Sequence, residues 1–70
     1  MKVYKLDAII NNEDAVHKMF ISREKADKYM EKILNKYNLE VDEIIYRDNK
    51  HSREFVCNTY NRISINRVIY

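Results

Sequence analysis

The chain has 70 residues, no glycine, no proline, one cysteine and a formal net charge of +2, which makes one domain spanning residues 1–70 with no room for a second. Without glycine it cannot build a phosphate-cradling loop, a nucleophile elbow or a dinucleotide-binding turn, and a lone Cys57 excludes an internal disulfide and fits a reducing compartment. No apolar run approaches the roughly 18 residues of a membrane span and nothing reads as a signal peptide, so the expectation is a soluble, cytoplasmic protein with no membrane association.

Residues 2–10 alternate as a strand, with Tyr4, Leu6, Ala8 and Ile10 on one face. Asn11, Asn12, Glu13 and Asp14 read as a turn, and residues 15–21 as a second strand closing a hairpin. In that strand Val16 and Phe20 share one side, while Ala15, Met19 and Ile21 share the other. Phe20 is expected to face the core.

The stretch from Ser22 to Leu39 predicts an amphipathic helix. Ala26, Tyr29, Met30, Ile33, Leu34 and Tyr37 fall on one face at helical spacing. Ser22 is placed to cap the first turn, Ile21 and Ala26 to form a hydrophobic staple, and Asn38 to end the helix in a left-handed conformation with Leu39 folding back. Glu24, Asp27 and Glu31 line one flank of the apolar seam, and Lys25, Lys28, Lys32 and Lys36 the other. Lysine stems of this kind cover the rim of a core. The same ridge is also the candidate docking surface for an acidic protein partner.

Residues 41–47 predict a third strand, with Ile44 and Tyr46 on one side and Val41 and Ile45 on the other. Residues 48–52 are a polar loop, residues 54–60 a fourth strand, and residues 63–70 either its continuation or a fifth. Together the elements give an α+β fold of order ββαββ(β), in which a single helix packs on one face of a 4–5-stranded antiparallel sheet. A helix about 10 Å wide cannot cover five strands about 4.8 Å apart, and Val3, Ile9, Val56 and Val68 lie outside the sets turned toward it. Either the sheet curls or a second chain covers the remainder; a homo-oligomer formed through the sheet's back or an exposed edge is the expectation.

Constellations for catalysis are missing. His17 and His51 have no Cys, Asp or Glu neighbour at metal-ligand spacing, so no metal and no cofactor is expected. Cys57 reads as a small buried hydrophobe in a strand. Asp42 and Glu43, adjacent in a strand, point to opposite faces and cannot share a proton across one cleft. The strongest chemical set is basic and aromatic: Tyr46, Arg47, Arg53, Tyr60, Arg62, Arg67 and Tyr70. Tyrosines on a sheet with arginines between them suit base stacking and phosphate contacts, though tyrosine also serves as core rim and interface anchor.

The run Met19-Phe20-Ile21-Ser22-Arg23-Glu24-Lys25-Ala26-Asp27-Lys28-Tyr29 resembles a pattern of small phage and prophage proteins from AT-rich Gram-positive bacteria. In those, a hairpin leads through Ser-x-Glu-x-Ala into an amphipathic helix, and strands follow. The resemblance implies an accessory protein of a bacterial host's cytoplasm that binds a host or viral component, and it assigns no functional residue. Missing catalytic constellations, surplus apolar sheet surface and a charge-sorted helix together lead to the function expected: a non-catalytic protein-interaction module that modulates another protein. The alternative is a small nucleic-acid-binding or transcription-regulating protein using its basic-aromatic C-terminal surface.

Overall fold

The computed structural model describes all 70 residues. Five strands and one helix follow the order β1 (Lys2–Ile10), β2 (Glu13–Phe20), α1 (Arg23–Lys36), β3 (Glu43–Arg47), β4 (Ser52–Val56) and β5 (Arg62–Ile69). All strand pairs are antiparallel, in the spatial order β2-β1-β5-β4-β3. The final segment is thus two strands: β4 ends at Val56, and β5 inserts between β1 and β4 at the centre of the sheet.

Asparagine does the work of glycine in the turns. Asn11 and Asn12 both take positive φ, 55° and 64°, the two-residue hairpin geometry whose twist matches the flanking strands. This shortens the turn from the four residues expected and starts β2 at Glu13. The register then shifts between Ala8, opposite Val16, and Ile9, opposite Asp14, leaving Ala15 as a bulge. Beyond the bulge Val16, Lys18 and Phe20 share the helix-facing side, so Phe20 points inward and packs against Tyr29, ring centres 5.4 Å apart and planes tilted by 44°.

The Ser22 hydroxyl accepts the Lys25 amide at 3.2 Å and caps α1. At the far end Asn38 has φ 53°. There Asn38 N–H donates to the Asn35 carbonyl at 3.3 Å, and Leu39 N–H to the Leu34 carbonyl at 2.8 Å, the paired bonds of a Schellman stop. Leu39 folds back onto the core as expected. The staple does not form: Ile21 stays 72% exposed.

The core is the contact of α1 with the β1–β2 half of the sheet plus the inner positions of β4 and β5: Leu6, Ala8 and Ile10 meet Ala26 and Ile33, with Phe55, Ile63 and Ile65 alongside. Cover then thins toward β3. The helix-facing row Ala8, Ile63, Phe55, Ile44 runs across the sheet, and exposure along it climbs from nothing at Ala8 to 41% at Ile44. Val41, expected to share a side with Ile45, precedes β3 and turns onto the core instead. Cys57 lies past the end of β4, half-exposed in the loop to β5 rather than buried in a strand.

That loop is built by two asparagines. The Asn58 side-chain oxygen accepts the Tyr60 amide at 2.8 Å, the Asn61 amide at 3.0 Å and the Asn61 carboxamide at 3.0 Å. Asn61, itself buried, accepts the Asn11 amide at 2.8 Å. Asn12 N–H reaches the Tyr60 carbonyl at 3.0 Å, so the two loops at this end of the sheet are locked together. The β3–β4 turn carries three consecutive left-handed residues, Asp48, Asn49 and Lys50, at φ 51°, 53° and 71°.

The rear face is mixed. Val3 and Val68 are directly opposite one another there, Val3 buried and Val68, Ile9 and Val56 half-buried. A polar row crosses between them from Glu54 through Ser64 and Asp7 to His17.

Candidate functional site

The charge sorting of α1 becomes a spatial sorting once the helix docks. Tyr29, on the lysine side of the apolar seam, packs against Phe20 and lies under the Lys18 ammonium at 4.6 Å. Asp27, on the acidic side, meets β4: its carboxylate accepts from the Arg53 guanidinium at 2.6 Å. Asp27 alone of the acidic flank is thus turned onto the sheet and neutralised there; Glu24 and Glu31 stay exposed. Lys25, Lys28, Lys32 and Lys36 face solvent along the β2 border, all exposed, with Lys18 beside them. Two weak contacts hold the ridge: Lys28 reaches Glu24 at 3.5 Å, and Lys36 lies 5.4 Å from the Tyr37 ring centre. Exposed pairs of this sort are worth well under 1 kcal/mol each, so the ammonium groups stay available.

The basic-aromatic set is not brought together. Tyr46, Arg53 and Arg67 lie on the helix-facing side, whereas Arg47 and Arg62 lie on the rear. Tyr60 sits in the β4–β5 loop and Tyr70 follows β5, where its amide donates to the Met1 carbonyl. Two of the arginines are already engaged: Arg53 with Asp27, and Arg67 Nη2 with the Asp48 carboxylate at 3.1 Å. Their side chains are only 9% and 14% exposed, and the Nε of each is buried without a partner. Arg47 reaches Glu54 at 3.8 Å but remains open to solvent.

One pairing had no signal in the linear sequence. On the rear face Asp7 accepts from His17 Nδ1 at 2.6 Å, and Asp14 approaches the other ring nitrogen at 4.0 Å. Asp7 and His17 are ten residues apart, and only the hairpin register places them opposite each other. Ser64 is Asp7's opposite neighbour on β5. The row therefore reads Ser-Asp-His, with the carboxylate in the middle; a histidine base must touch the hydroxyl it activates, and this one touches only carboxylates. Burial pushes the Cys57 thiol up from its ordinary 9.0, which lowers its thiolate fraction and its reactivity at neutral pH.

No helix is long and apolar enough to cross a membrane. No protein-family model, curated protein or solved structure matches the chain.

Proposed function

We propose that this chain is a non-catalytic interaction module that engages an acidic surface of another protein through the lysine flank of α1. One observation carries the reading: docking of the helix directs Asp27 inward to Arg53 while Lys25, Lys28, Lys32 and Lys36 remain exposed along one border. A chain whose net charge is only +2 thereby presents a locally cationic strip, which favours encounter with an acidic partner. The likeness of the Met19–Tyr29 run to small phage and prophage proteins supports placing the partner among host or viral proteins, with the module acting in the bacterial cytoplasm.

The test compares the wild type with the triple variant Lys25→Glu/Lys32→Glu/Lys36→Glu. Anisotropy is measured against a labelled poly-glutamate peptide and against a labelled single-stranded oligonucleotide at low salt. Peptide binding that weakens with salt and is lost in the variant supports the reading. Binding of the oligonucleotide alone, or peptide binding indifferent to the triple reversal, overturns it.

A further inference from the structure

The two borders of the sheet are finished differently. The outer edge of β2 carries a bulge at Ala15 and an exposed lysine, Lys18, the usual devices by which an edge is kept from pairing. β3, the opposite edge, has neither. Its five residues are Glu43-Ile44-Ile45-Tyr46-Arg47, three apolar residues between charges of opposite sign. Ile44 and Tyr46 stand 41% and 53% exposed on the helix-facing side, beyond the reach of α1.

This strand is complementary to itself. Set two copies antiparallel about Ile45 and every residue of β3 acquires an opposite number. Ile45 meets Ile45, each Ile44 meets the other copy's Tyr46, and each Glu43 meets the other copy's Arg47. Opposed residues share a face, as the pleat requires. Moving the centre to Ile44 sets Glu43 against Ile45 and Tyr46 against Asp42; moving it to Tyr46 sets Ile44 against Asp48. Only the Ile45 register joins opposite charges and apolar side chains together. It also limits itself, because the next pair outward is Asp42 with Asp48. Asp48 is already held by Arg67 within its own chain.

We propose that two copies of this chain associate by this β3–β3 pairing, giving a continuous ten-stranded sheet with both helices on one face. The lysine flanks border β2, so they lie at the far ends of that sheet and stay free. The dimer is thus a bivalent presentation of the surface assigned above, though neither proposal depends on the other. A five-residue edge pairing is small beside the ~800 Å² per partner of a standard interface, so the expected dissociation constant is roughly 10 µM to 1 mM.

The experiment is sedimentation velocity over a concentration series, with circular dichroism to confirm folding. The wild type is expected to shift from monomer to dimer, and Glu43→Arg, an exposed change that sets two arginine pairs against each other, to weaken the dimer about tenfold. Glu43→Arg/Arg47→Glu, which swaps the charges, is expected to recover much of that loss. In a Cys57→Ser background, Ile45→Cys should form a disulfide-linked dimer on mild oxidation, because directly opposed strand residues lie within bridging distance. Glu43→Cys should not, since the two copies of that position are about 13 Å apart along the strands. A wild type that stays monomeric at ~1 mM overturns the proposal. So does a dimer indifferent to Glu43→Arg, or one linked through Glu43→Cys rather than Ile45→Cys. The lysine-flank triple variant should dimerise as the wild type does, so loss of partner binding and loss of self-pairing are read separately.

Discussion

Removing the Asp27 carboxylate should destabilise the fold far more than removing the arginine it holds. Arg53 is the more deeply placed partner, its side chain 9% exposed against 35% for Asp27, and its Nε already lacks an acceptor. In Asp27→Ala the guanidinium stays buried next to Phe55, whose ring centre lies 5.2 Å away, having lost its 2.6 Å acceptor. Losing a charge-assisted bond to a group that cannot return to water costs ~2–3 kcal/mol. Alanine at a helix interior position returns about 0.5–0.7 kcal/mol, so the net expectation is ~1.5–2.5 kcal/mol. A domain of this size has only about 3.5–10 kcal/mol to lose, and the melting temperature should fall by ~10 °C. Arg53→Met keeps an unbranched stem over Phe55, removes the orphan donor and leaves Asp27 to be hydrated where it stands. That variant is expected within ~1 kcal/mol of wild type. Urea titrations followed by far-UV circular dichroism measure both. Equal losses in the two variants, or an Asp27→Ala loss below ~0.5 kcal/mol, would refute the reasoning, since either means that the buried guanidinium does not depend on this carboxylate.

Asn61→Ala should cost ~0.5–1.5 kcal/mol, because the Asn11 amide and the Asn58 side chain each lose a part-buried partner; hydrogen exchange should quicken first at Asn11. Lys50, at φ 71°, has no side-chain device to offset its left-handed conformation, so Lys50→Gly should relieve ~1–2 kcal/mol of strain against ~0.4–1 kcal/mol of added chain entropy. The denaturation midpoint is expected to rise slightly, and a clear fall would count against the strain assigned to that turn. Cys57 should alkylate with a midpoint above 9.0 in the folded protein. Since burial raises its folded pKa, its contribution to stability is complete below the unfolded value and declines as pH rises through the folded one; a thiol reacting as fast as a free cysteine at neutral pH would contradict this.

The helix and the α+β class were legible because they rest on local rules. Ser22, Asn38 and the spacing from Ala26 to Tyr37 speak through contacts within a turn or two. The inward facing of Phe20 was legible too, although the bulge at Ala15 that reconciles it with Asp14 and Glu13 was not, because a bulge is a property of two strands and not of one. The order of the sheet lay further out of reach. Nothing in residues 62–69 by themselves says that they pair with β1, and Cys57 falls outside the strand its apolar neighbours suggest because the break after Val56 is made by asparagine side chains folding onto one another, in a chain without the glycine or proline that usually marks such a break. The scattering of the basic-aromatic set was out of reach for a related reason. Alternation puts Arg47 and Arg53 on opposite faces, and the carboxylates that occupy Arg53 and Arg67 come from a helix and a turn far away in sequence.

A glycine-free chain of this length meets its turns with Asn, Asp and Lys at positive φ, at Asn11, Asn12, Asn38, Asp48, Asn49 and Lys50, each less comfortable there than glycine. Three of the six fall in the single turn joining β3 to β4, and that turn also supplies Asp48 to Arg67. The strand next to it is short, at the sheet's border, and beyond the cover of the only helix. Strain and missing cover thus concentrate at one end of the fold while the core gathers at the other. If a second copy pairs with β3, it adds hydrogen bonds and apolar contact where a lone chain has fewest, so dimerisation should protect the β3–β4 hairpin from hydrogen exchange before it changes protection anywhere in β1, β2 or α1.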